Sequence, residues 1–406
     1  MQLLNPLPYH QKVKDHFKKQ TKTWEYFSVP TNKEEQLQLF KKELLKNSYK
    51  FDPVTDTNIY EKLSLAKERL ALENLAVTVY QAQYTDELNA SIVYLNNEAH
   101  IVFSGPIIRL LNDEELLAVL AHELTHVKLY SMLGGELEVA DRIITAIANN
   151  FNSEPSYFET ARLFRLYTEI FCDRGAYSVL GQTGPAITSL VKVSTGLDKV
   201  SAESYLKQAN EIFAGEEGIK TAGVSHPENF IRVRALELWH EKKEAAEEEI
   251  IKMIEGMAHI DQLDIFKQKE LADLTRRVLQ LFLKPKWMQS GLVMGHVREF
   301  FPDFLLLDDA VLNEKLVEEI MNLHTSVKDY FAYLLLDFAL LDPALEDIPS
   351  GWSFQFAEDL QLRESLDAIV KKELRLSDKK LLQHKQRVLA AYYEVKEDAS
   401  EQIYEA

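Results

Sequence analysis

Every strand-like segment of this chain falls between residues 76 and 104, and nearly everything after them reads as helix. Ala76–Gln83 (AVTVYQAQ), Asn89–Leu95 (NASIVYL) and Ala99–Ser104 (AHIVFS) are short and rich in β-branched or aromatic residues. Polar turns at Tyr84–Leu88 and Asn96-Asn97 separate them, so one small antiparallel sheet is expected. Residues 1–75 read as helices. Thr31 and Glu34 form a capping-box pattern, and Ile59, Leu63, Leu65, Ala66 and Leu70 fall at helical spacing. Beyond Gly105-Pro106, Asn112 and Glu115 cap a helix that Gly134-Gly135 stops. Further helices are expected over Glu136–Asn150 and from Pro155 to Leu180, followed by a loop at Gly215–Gly223. His226-Pro227 then opens a long helix ending near Met257, with EKKEAAEEE as its solvated face. From about Ile260 to Ala406, amphipathic helices are broken at Pro285, Pro302, Pro343 and Pro349. The expected class is mainly α with a small antiparallel sheet, an α+β domain over 1–258, followed by an all-α domain over 262–406.

The chain has 406 residues, 27% of them charged, with a net charge of −18. That acidity argues against a nucleic-acid binder, which needs a basic face. It argues equally against docking on an anionic membrane surface. Cys172 is the single cysteine, so no intramolecular disulfide and no multi-thiolate zinc site can form within one chain. No window approaches the ~18 apolar residues of a membrane span. MQLLNPLPYHQKVKDHFKKQ lacks the apolar run of a signal peptide. A cytoplasmic protein is the expectation.

The chemistry is concentrated in His122-Glu123-Leu124-Thr125-His126, an HExxH on the capped helix. Residues four apart lie above one another on one helix face, so both imidazoles can reach one ion. Imidazole suits zinc, and Glu123 lies beside the first ligand, where it can hold an attacking water. Apolar flanks such as Leu116, Leu120 and Val127 bury this helix, and buried paired histidines need a partner. Among Glu136, Glu138, Glu154, Glu159 and Glu169, the last is favoured as third ligand. It sits mid-helix in an apolar run, where a carboxylate is costly unless paired or metal-bound. Asp173, one turn later, is placed to orient a ligand imidazole. Ion pairing of Glu169 and Asp173 with Arg165 and Arg174 is the alternative. Cys172 is expected to be a packed core residue.

HExxH followed by ExxxD 43 residues after His126 is similar to the gluzincin zinc peptidases. More narrowly, it resembles the HtpX-like peptidases and type I CAAX prenyl endopeptidases. Asp113-Glu114-Glu115 leading into AVLAHELTH, the upstream Asn89-Ala90 pair and SHPENFIRVRAL (Ser225–Leu236) all fit that family. The resemblance spans about residues 60–240. It implies His122, His126 and Glu169 as zinc ligands, Glu123 as general base and Asp173 hydrogen-bonded to His122. His226 would stabilise the oxyanion, and the edge strand at Asn89 and Ala90 would hold substrate backbone. Many members of that family carry transmembrane helices and this chain shows none, so soluble peptides or unfolded protein segments are the expected substrates. Two other readings remain open at two residues: His226 as a helix cap, and Arg232 as a brace for the Glu169 helix.

Residues 330–374 weakly resemble TerB-like helical domains, which implies an interaction or regulatory role. Asp342, Glu346 and Asp347 read as a solvated turn rather than a cation site. Trp352, Phe354 and Phe356 are expected in the core. The function expected of the whole chain is a zinc-dependent metalloendopeptidase. The alternative is an inactive metallopeptidase-like adaptor acting through the helical domain.

Overall fold

The computed structural model describes residues 4–29, 34–95, 97–150, 152–215, 218–396 and 403. Thr31 of the expected capping box and Asn96 of the expected turn lie outside them. The chain divides into two compact units, Met1–Gly256 and Met257–Ala406.

The first unit holds a four-stranded sheet in the order β1-β2-β4-β3, with β1 Ser48–Lys50, β2 Ala76–Ala82, β3 Asn89–Leu95 and β4 Glu98–Ser104. The three expected strands are present, but the sheet is mixed rather than antiparallel throughout. β3 and β4 form an antiparallel hairpin, from Asn89 opposite Ser104 to Leu95 opposite Glu98. β4 is inserted between its hairpin partner and β2, and therefore runs parallel to β2, with Ala76 beside Glu98. β1 pairs antiparallel with β2 and interrupts the stretch 1–75 that reads as helical. Among the described residues, this order leaves β3 at a sheet edge.

Alternation along β4 sends Ala99, Ile101 and Phe103 into the core. They pack with Leu116, Leu120 and Leu124 of the helix Asp113–Ser131, and with Ile59 and Leu63 of the helix Thr57–Arg69. Each fully buried leucine contributes roughly 1.5–3 kcal/mol. The Asp113–Ser131 helix starts where expected, with a reciprocal cap. Asn112 Oδ1 accepts from the Glu115 amide at 3.0 Å, and Glu115 Oε2 accepts from the Asn112 amide at 2.8 Å. Glu115 is also held by the buried Lys192 ammonium at 2.8 Å.

The expected long helix from His226 to Met257 is two helices, Asn229–Lys242 and Glu247–Glu255, joined by a short 3-10 turn. The break falls inside EKKEAAEEE, where Lys243 adopts φ 53° and Ala246 is fully buried. An uninterrupted solvated face does not form there. The helix also opens at Asn229 rather than at His226-Pro227, because Glu228 has extended backbone.

The second unit is helical throughout its described elements, apart from 3-10 turns. Trp352, Phe354 and Phe356 are buried, and the Trp352 indole N–H donates to the Phe282 carbonyl at 2.9 Å. Asp342 Oδ1 accepts from the Ala344 amide and Asp347 pairs with Arg387 at 2.9 Å, as in a solvated, self-capped turn. Among the described residues, no helix of either unit is long and apolar enough to cross a membrane.

Candidate metal centre and cleft

Two helices build the centre. Asp113–Ser131 carries His122, Glu123 and His126, and Pro155–Leu180 carries Glu169, Cys172 and Asp173. They cross closely at Gly175, where a Cβ would lie 2.0 Å from the Thr125 Oγ1. Any larger residue would force the helices apart, so this mid-helix glycine sets the separation between the histidines and the carboxylates. Thr125 itself is tied down, its hydroxyl donating to the Ala121 carbonyl at 2.6 Å.

The crossing places His122 Nε2 3.4 Å from Glu169 Oε2 and His126 Nε2 3.7 Å from Glu169 Oε1. His122 Nδ1 lies 3.1 Å from Asp173 Oδ1, which leaves Nε2 as its free donor atom. A tetrahedral ion with ligands at about 2.0–2.1 Å sets ligand–ligand separations of about 3.3–3.4 Å. Two imidazoles and a carboxylate at these separations fit catalytic zinc with one position open. Cys172 Sγ also lies within 4.8 Å of histidine ligand atoms. Burial and the Glu169, Asp173 and Glu123 carboxylates push its thiol well up.

Three of the other candidate carboxylates are committed elsewhere. Glu159 is gripped by Arg162 at 2.7 Å through both oxygens, Glu138 pairs with Arg142 at 3.2 Å, and Glu136 pairs with Lys18. Glu154 sits at the N-cap of the long helix without a side-chain cap bond. Of the expected partners of Glu169 and Asp173, Arg174 binds Glu247 at 2.6 Å instead, and among the described residues no ion pair joins Arg165 to Glu169 or Asp173. That role falls to Arg232, from the helix Asn229–Lys242. Its guanidinium donates to both Asp173 oxygens at 2.8 and 2.6 Å, and Nη2 lies 3.5 Å from Glu169 Oε2.

These contacts set the protonation of the centre. Burial opposes charge on Asp173, but Arg232 and His122 hold its carboxyl below the usual range. Burial likewise opposes charge on Glu169, yet the His122 hydrogen bond and Arg232 win and hold it low. His122 is disfavoured as a cation by burial, but Asp173 and Glu169 push it up to about 10. A metal taking Nε2 would displace that proton, as ligand imidazoles require. Burial takes His126 down to about 4. Glu123 is raised by burial to about 7, in the range where a carboxylate accepts and returns a proton at neutral pH.

A cavity of about 230 Å³ opens on the centre and is lined by His122, Glu123, Glu169, Asp173, Arg232, His226, Asn89 and Ala90, among others. Asn89 and Ala90 begin the edge strand β3. His226 Nε2 lies 3.6 Å from Glu169 Oε1, its side chain is 61% exposed, and Nδ1 meets the Ser225 hydroxyl at 2.9 Å. Its loop is tightly wound. Arg162 donates to the Gly223 carbonyl at 2.8 Å, the Thr221 hydroxyl donates to Glu228 Oε2 at 2.7 Å, and a Cβ on Gly223 would lie 1.9 Å from the His226 carbonyl oxygen. Gly175, Arg162 and Gly223 do not stand out as site residues in the sequence. Only the isolated glycine within a helical run signals a close approach.

No curated protein and no solved structure matches the chain. Residues 55–240, which contain every residue of this centre, match the family model of Peptidase family M48, a family of metallopeptidases.

Proposed function

We propose that residues 1–258 act as a zinc-dependent endopeptidase, with His122, His126 and Glu169 holding the ion. The observation that carries this reading is the convergence of two imidazoles and one carboxylate, with Asp173 fixing His122 through Nδ1. When bound there, zinc supplies Lewis acidity and lowers the pKa of a bound water to about 7. Glu123 takes the proton of the attacking water and returns it to the departing amine. Substrate backbone pairs with the edge strand at Asn89 and Ala90 and is drawn across the cleft. His226 donates to the oxyanion as the carbonyl becomes tetrahedral. Arg232 keeps Asp173 ionised and aimed at His122. Peptides or unfolded protein segments are the substrates, the location is cytoplasmic, and residues 262–406 serve as an interaction or regulatory domain.

His226→Asn separates catalysis from structure. The side chain makes no cap bond to the helix Asn229–Lys242, whose N-cap is Glu228. Loss of oxyanion stabilisation lowers kcat by roughly 100-fold with KM little changed. Steady-state cleavage of an unfolded protein by zinc-loaded full chain, alongside zinc content and Tm, is the check. Full activity in the variant would remove His226 from the mechanism.

A further inference from the structure

His226 enters the cleft from a segment that is neither helix nor strand. Thr221 and Pro227 are buried at its two ends, while Ala222, Val224, Ser225 and His226 between them are exposed. Apolar packing therefore gives the middle of the segment little hold, and polar contacts have to fix it. The Thr221 hydroxyl donates to Glu228 Oε2 at 2.7 Å and the Ala222 amide to Glu228 Oε1 at 3.0 Å, so this carboxylate closes the segment on itself. The Thr221 amide donates to the Met253 carbonyl at 2.9 Å. None of these three bonds reaches the helix that carries Glu169.

Arg162 makes that connection, about two turns before Glu169 on the helix Pro155–Leu180. Its Nε and Nη2 donate to the two Glu159 oxygens, each at 2.7 Å, which fixes the plane of the guanidinium. The remaining Nη1 donates to the Gly223 carbonyl at 2.8 Å. Arg162 is 9% exposed, so this charge-assisted bond is shielded from water. Gly223 in turn lies against His226, since a Cβ on it would come within 1.9 Å of the His226 carbonyl oxygen. What fixes Gly223 therefore fixes the backbone of His226, whose own side chain is too exposed to be held by packing.

We infer that Arg162, locked by Glu159, is the positioning residue of His226. It couples the loop to the rigid helix that presents Glu169, so that the His226 imidazole and the proposed metal ligand keep a fixed separation, 3.6 Å between Nε2 and Oε1. The inference rests on the peptidase reading above and adds a residue that acts through His226 without touching substrate. Lysine at this position would carry the charge but not the fork, having one nitrogen to share between Glu159 and Gly223.

A double-mutant cycle of Arg162→Lys and His226→Asn in the zinc-loaded full chain tests this, read as kcat and KM for an unfolded protein, with zinc content and Tm alongside. Arg162→Lys should lower kcat roughly 10-fold with KM and zinc content little changed. In the His226→Asn background the same substitution should change kcat by less than about twofold, because the group it positions is gone. In the zinc-free chain, amide exchange at Ala222 and Gly223 should quicken roughly 10-fold in Arg162→Lys, a readout independent of turnover. Glu159→Gln keeps Arg162 but loosens its fork. It should show the same pattern at smaller size, and it replaces Arg162→Lys if that variant does not fold. Equal proportional losses in both backgrounds would make Arg162 a purely structural residue and overturn the inference, as would an unchanged kcat in the single variant. Full activity of His226→Asn would remove the role of Arg162 together with that of His226, while the metal site stands. No cleavage by the zinc-loaded wild type would overturn the peptidase reading and the inference with it.

Discussion

Glu123→Gln will hold zinc as the wild type does and will cleave an unfolded substrate about 100- to 10,000-fold more slowly. Glutamine preserves shape and hydrogen bonding but cannot take a proton. Glu123 is 7% exposed and raised to about 7 by burial, so its carboxylate is poised to exchange a proton near neutrality. The proposed metal set of His122, His126 and Glu169 is left intact, which is why metal and activity should part company in this variant. Single-turnover cleavage and zinc content, measured on one preparation, decide the matter. Activity within threefold of wild type would mean that another group moves the proton. Loss of zinc along with activity would mean that Glu123 holds the metal. No cleavage by the wild-type chain would favour the adaptor reading.

Arg232→Met will destabilise the first unit by about 3–5 kcal/mol, the usual result of removing one partner from a buried charge pair. Arg232 is 7% exposed and is the cation that meets Asp173 through two hydrogen bonds while also facing Glu169. Methionine keeps much of the volume but leaves two buried carboxylates one helical turn apart without their shared cation, with His122 near both and His126 and His226 near Glu169 alone. Calorimetric unfolding of the full chain is the measurement. Zinc identifies the relevant transition, since a ligand that binds only the folded unit raises its midpoint. A loss below 1 kcal/mol in that transition would show that Asp173 and Glu169 do not depend on Arg232.

What the sequence displayed was mostly local. The Asn112–Glu115 cap lies within four residues, and the HExxH spacing encodes a shared helix face, so both can be read without a partner in view. Glu169 stood out because an acid in an apolar run conflicts with burial unless something meets it. What met it was not readable. Arg232 lies 59 residues from Asp173, and two arginines nearer in sequence looked equally suitable. The mixed sheet escaped for the same reason, because the β2–β4 pairing depends on where a hairpin inserts and not on residue pattern. β1 has only three residues, too few to show alternation. The break at Lys243 lies in a run of strong helix formers, and only the burial of Ala246 beside it explains the turn. The helix Gly184–Thr195 is an ordinary amphipathic helix in sequence, and only the cavity shows that Ser189, Leu190 and Val193 line it.

The central claim is that one metal ion is held by His122, His126 and Glu169. Elemental analysis of the zinc-loaded full chain after extensive dialysis, compared with Glu169→Ala and Cys172→Ser, tests it most directly. The account predicts one zinc per chain in the wild type, one in Cys172→Ser, and loss of zinc from Glu169→Ala under the same dialysis. A wild type that holds no zinc, or a Glu169→Ala variant that keeps it while Cys172→Ser loses it, would contradict the account.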